Sequence, residues 1–141
     1  MLLNKWVKLF LGKQSIRSHI DAIHATRPKA DLLTDKIVQE VIKKSGCSGI
    51  ISLVSRTKAD LNRGINKTNK EAVIKYRKSI NKILNHLNLI DNNNKLKKPY
   101  LHLAIHGMHN RKNIDINIAT RSGRLCQSQL DQQGQKQELS A

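Results

Sequence analysis

Between residues 31 and 46 the apolar positions Leu33, Ile37, Val38, Val41 and Ile42 recur at helical spacing and stop before Gly46, which predicts a helix followed by a turn. The pattern then changes. "GIISLVS" is a continuous, largely β-branched run bounded by Gly49 and Ser55, and it predicts a buried strand. A second helical period covers 70–88, with Val73, Tyr76, Ile80, Ile83, Leu84 and Leu87 on one face and Lys75, Lys78 and Lys82 on a solvated one. After the polar loop "DNNNKLKK", Pro99 resets the chain for "YLHLAI", another short apolar strand, and "IDINIAT" reads as an alternating one.

Helices of this length between buried strands require crossover connections, so the expected fold class is α/β, with a mostly parallel sheet flanked by helices. Three segments follow from the pattern. Residues 1–19 form an N-terminal amphipathic segment, 20–126 the α/β domain and 127–141 a flexible Gln-rich tail, because no apolar face continues after Cys126. "MLLNKWVKLFLG" is interrupted by Lys5 and Lys8 and falls short of the ~20 apolar residues of a membrane span. It predicts a short amphipathic helix rather than a signal peptide, with attachment to a membrane surface as the alternative. "SIRSHIDA", just after it, reads as a poor strand.

Composition adds partner classes. The chain has 38% hydrophobic residues, enough for one core, but its only aromatics are Trp6, Phe10, Tyr76 and Tyr100, so that core is aliphatic. A formal charge of +16 admits nucleic acid, acidic surfaces or anionic small molecules as partners. Charges spread along the chain, with Lys far commoner than Arg and with abundant Asn and Ile, equally fit an A/T-rich coding genome. Cys47 and Cys126 make no CxxC pair, which argues against a disulfide scaffold or structural zinc module and for a reducing, cytoplasmic location.

In parallel sheets ligands gather where loops leave the carboxyl ends of strands. Here that rule singles out Ser55 to Arg63 and His106 to His109. Arg63 and Asn62 together can grip a carboxylate, with Arg56 as a second positive group. Alternatively Asp60 pairs with Arg56 or Arg63 to hold the loop while Asn62 caps a turn. His24, His106 and Asp31 supply two imidazoles and a carboxylate, the donor set of a catalytic zinc site. Each also has an ordinary reading: a loop histidine, a hydrogen-bonded strand-end histidine and a helix N-cap. His102 and His109 are alternatives to His106.

"RPKADLLTDKI", "VSRTKADLNR", "LHLAIHGM" and "DINIATRSGRLC" together resemble the N-formylglutamate amidohydrolases and their relatives over about residues 20 to 126. The DLNR element also resembles that of succinylglutamate desuccinylases and aspartoacylases. The resemblance implies a zinc carboxypeptidase-like α/β fold that hydrolyses an amide bond of an acidic N-acyl amino acid. It makes His24 the first metal histidine and His106 the last, with Asn62 and Arg63 on the substrate carboxylate and Arg56 beside them. Arg27 stands where the desuccinylase branch carries an acidic ligand, and Asp31 is the nearest substitute. Ala104 stands where an Asp commonly orients the last histidine. No downstream catalytic Glu is evident, since only Asp131 and Glu138 follow Asp115. The expectation is a shortened relative in which zinc binding outlasts hydrolysis, and the rival reading is a small basic nucleic-acid-binding protein.

Overall fold

The β-branched run after Gly46 forms strand β4 (Ser48–Ser52), and every one of its residues is buried. It lies inside a sheet whose other members are β1 (Leu2–Leu3), β2 (Val7–Phe10), β3 (Ser18–Ala22) and β5 (Leu101–Ala104). The computed structural model describes residues 1–107, and within them the sheet order is β1-β2-β4-β3-β5. Helices α1 (Thr34–Ser45) and α2 (Lys70–His86) supply the crossovers β3–α1–β4 and β4–α2–β5.

Successive side chains of a strand point to opposite faces, and the two cores follow that rule. Val7, Leu9 and Ile50 pack with Val73, Tyr76 and Ile83 of α2. Ile20, Ala22 and Ile51 pack with Val38 of α1, with Phe10, Val41 and Ile42 partly buried at their side. Gly46 ends α1 in the left-handed region, at φ 74°, and its N–H bonds the Ile42 carbonyl, a cap that glycine adopts without strain. Gly49 lets α1 approach β4 closely, because a Cβ there would collide with the Ile42 side chain.

Three expectations need correction. The N-terminal segment is not a helix: β1 and β2 form an antiparallel hairpin, and β2 continues antiparallel onto β4. Asn4 makes the turn by accepting the N–H groups of Trp6 and Val7 at 2.8 and 2.9 Å. The sheet is therefore mixed rather than mostly parallel: the β3–β4 and β3–β5 pairs are parallel, and the β1–β2 and β2–β4 pairs antiparallel. "SIRSHIDA" supplies β3, the strand between β4 and β5, and four of its five residues are buried. Its His19 and Asp21 lie on a buried face where hydrophobic patterning expects apolar residues, so the pattern understates it.

The β5 segment is a strand as expected, but an exposed one on the edge of the described sheet. Among the described residues no helix is long and apolar enough to cross a membrane. "IDINIAT", His109, Cys126, Asp131, Glu138 and the Gln-rich tail lie outside the described residues.

Candidate metal centre

Because β3, β4 and β5 run in parallel, their carboxyl ends open on one edge of the sheet. His24 follows β3, the segment Ser55–Arg63 follows β4 and His106 follows β5. The loops are tied together. Thr26 Oγ1 donates to the Ser52 carbonyl at 2.8 Å, and Ser55 Oγ donates to the Pro28 carbonyl at 2.6 Å.

Asp31 completes the group. Helix α1 begins only at Thr34, behind Leu33 in the left-handed region, so the Asp31 side chain is not an N-cap. Its backbone is held instead, with the N–H donating to the His24 carbonyl at 2.8 Å and the carbonyl accepting Thr34 Oγ1 at 2.7 Å. That leaves the carboxylate free for the site. Oδ1 accepts from Arg56, while Oδ2 lies 3.1 Å from His106 Nδ1 and 3.5 Å from His24 Nδ1.

His24 is buried, and its two ring nitrogens are not equivalent. Nε2 meets Asp60 Oδ1 at 2.8 Å, which places the ring proton there and leaves Nδ1 as the lone-pair atom. That Nδ1 is buried with no hydrogen-bond partner. Ligand atoms held about 2.0 to 2.2 Å from a tetrahedral zinc are about 3.3 to 3.6 Å apart, and the separations around Asp31 Oδ2 fall close to this. His24, Asp31 and His106 each offer one ligand atom, all within 4.8 Å of one another. A carboxylate on the far nitrogen of a liganding imidazole is the usual orienting partner. These donors fit a divalent cation.

Asp60 owes its position to its neighbours. Ala59 and Leu61 are buried in the core and clamp the loop from either side of it. Asn69, 1% exposed, donates to the carbonyls of Asp60 and Gly64 at 3.2 and 3.0 Å and accepts the Asn66 N–H at 2.8 Å. Burial pushes the carboxyls of Asp31 and Asp60 up, but their partners outweigh it. The Gly107 N–H, His106, Arg56 and His24 hold Asp31 below the usual carboxylate range. His24, the Asn62 N–H and Arg63 do so for Asp60.

No family model, curated protein or solved structure matches the chain. The resemblance to amidohydrolases rests on the quoted motifs alone, and the geometry adds a His–Asp–His group able to hold a metal ion.

The expected substrate-binding residues fall less uniformly. Arg56 sits beside Asp31, and its Nε is buried without a partner. Asn62 and Arg63 are exposed at the rim, with Arg63 Nε 3.6 Å from Asp60 Oδ2. Of the loop-holding reading, Asp60 meets Arg63 only loosely, Arg56 pairs with Asp31 instead, and the turn is capped by Asp60 Oδ1, which accepts the Asn62 N–H at 2.9 Å.

Sequence reasoning missed the orienting role of Asp60 and the loop-holding role of Asn69. It also missed a second group, His19, Asp21 and His102, whose ligand atoms likewise lie within 4.8 Å of one another. His24, Asp60 and His106 stand next to loop signals in the sequence. His19 and Asp21 carry only a weak signal, two polar residues alternating with Ile20 and Ala22.

Proposed function

We propose that residues 20–107 carry a zinc centre of the amidohydrolase type, formed by His24, Asp31 and His106 and directed at the amide bond of an acidic N-acyl amino acid. One observation carries this reading: the buried, unpartnered Nδ1 of His24 faces Asp31 Oδ2, which His106 Nδ1 also meets, while Asp60 occupies the other nitrogen of His24. The chemistry a zinc ion supplies when bound is Lewis acidity, which polarises a scissile carbonyl and lowers the pKa of water towards ~7.

The chain's own groups divide the remaining work. Asp60 fixes the tautomer and plane of His24. Arg56 steadies Asp31 and keeps a buried Nε–H for a ligand oxygen. Asn62 and Arg63, at the rim, hold the substrate carboxylate so that its amide reaches the centre in register. The two glutamates of the described residues lie on helices away from this task, Glu40 on α1 and Glu71 on α2, the latter bound to Lys5 and Trp6. With no glutamate among the described residues placed to move protons there, hydrolysis is expected to be slower by about 10²- to 10⁴-fold than general acid–base catalysis allows.

The experiment is to load the metal-free chain with zinc and follow formate release from N-formylglutamate and release of the acyl group from related acidic N-acyl amino acids. Slow, zinc-dependent release that disappears in His106→Ala is expected. Zinc binding without any release from these substrates would refute the hydrolytic reading.

A further inference from the structure

The register of β3 and β5 sets His19 beside His102 and Asp21 beside Ala104, so His19, Asp21 and His102 share the α2 face of the sheet. The two imidazoles are stacked, with centroids 3.9 Å apart. The side chains of His19 and Asp21 are 0% exposed, and His19 Nε2 lies 2.8 Å from Asp21 Oδ1. Neither atom has a hydrogen-bond partner, so the pair is close without sharing a properly directed proton. His102 Nε2 lies 2.8 Å from the other carboxylate oxygen.

Two tyrosines surround this group. The Tyr100 hydroxyl meets His19 Nδ1, and the Tyr76 hydroxyl donates to Asp21 Oδ2. In the tautomer that donates Nδ1–H to the Tyr100 hydroxyl, His19 Nε2 is a lone-pair atom available as a ligand beside Asp21 Oδ1. A buried imidazole nitrogen and a buried carboxylate oxygen, both without a hydrogen-bond partner, are donors that a cation would satisfy.

We propose that His19, Asp21 and His102 form a second divalent-cation site, of the zinc class, that clamps the exposed edge strand β5 onto β3. The donor set of two imidazoles and a carboxylate suits zinc or cobalt rather than magnesium or calcium, which prefer oxygen ligands. Tyr100 and Tyr76 act as the orienting groups that liganding histidines and carboxylates require. This site is separate from the one at the sheet edge, because His102 and His106 are four residues apart, about 13 Å at the usual strand rise. Occupancy would fix β5 and, through it, the loop that carries His106.

The test strips the full chain with a chelator and titrates it with Co(II), reading bound metal per chain and visible absorption. His106→Ala removes a ligand of the edge site only. It is expected to retain one tightly bound ion, and adding His102→Gln should weaken that ion at least a hundredfold. Glutamine keeps an amide donor for Asp21, so a network held only by hydrogen bonds would survive this change without loss of affinity. His106→Ala that binds no metal, or affinity unchanged by His102→Gln, overturns the proposal. Zinc-edge anomalous scattering from crystals of the unaltered chain supplies a reading that needs no variant. A peak between His19 and His102 is expected, and an empty position in zinc-soaked crystals overturns the proposal.

Discussion

His24 Nε2 and Asp60 Oδ1 are joined by a 2.8 Å hydrogen bond across 36 positions of sequence, and this bond decides which nitrogen of His24 faces the candidate metal centre. Asp60 belongs to the DLNR element, so one residue of that motif serves the metal side of the site while Asn62 and Arg63 stand at its rim. Substituting Asp60→Asn keeps an acceptor for the Asn62 N–H but weakens the pull on the imidazole proton. Zinc affinity, measured by competition with a chromophoric chelator, should fall by about 10- to 100-fold with the fold intact.

Asn69 holds the same loop from below. Asn69→Ala leaves two carbonyls and one N–H without their partners, at an expected cost of about 1 to 3 kcal/mol. Urea unfolding measures it. The same variant should also weaken zinc binding, since Asp60 loses its support.

Arg63 is 78% exposed and bound only loosely to Asp60. Arg63→Lys preserves the charge but removes the planar fork, so KM for N-formylglutamate is expected to rise about tenfold while zinc affinity stays the same. Unchanged kinetics would assign Arg63 to the loop alone.

Asp21, Asp31 and Asp60 all bind protons less readily in the folded chain than in the unfolded one, where carboxyls titrate near 3.8. The unfolded chain therefore takes up more protons in acid. The stability these groups contribute is present above the unfolded value and is lost as pH falls through the lowered, folded ones. In metal-free buffer the urea midpoint should drop steadily as pH falls from 5 to 3, and Asp60→Asn should flatten that slope.

The elements that packing alone dictates were legible along the chain. The run at 48–54 has no polar interruption except small serines, and α2 with its C-cap Leu87 places Val73, Tyr76, Ile83 and Leu87 on one stripe, so their burial follows from side-chain type and period. The convergence of His24, the loop after β4 and His106 was legible too. It follows from a general property of parallel strands, whose carboxyl ends share an edge.

What the sequence could not determine depended on partners far along the chain. Val7 and Leu9 alternate as a strand requires, but the surrounding lysines and leucines also satisfy a helical period; pairing of β2 with β4 decides between the two. Asp21 looks unsuited to a buried strand until Tyr76 and His102 arrive from 55 and 81 positions away to meet its carboxylate. Local pattern records which side chains avoid water, and it fixed the helices, β4 and the edge at which a site can form. Only the tertiary structure brings together groups that make a buried charge tolerable, and so only it revealed β3, the role of Asp60 and the second His–Asp–His group.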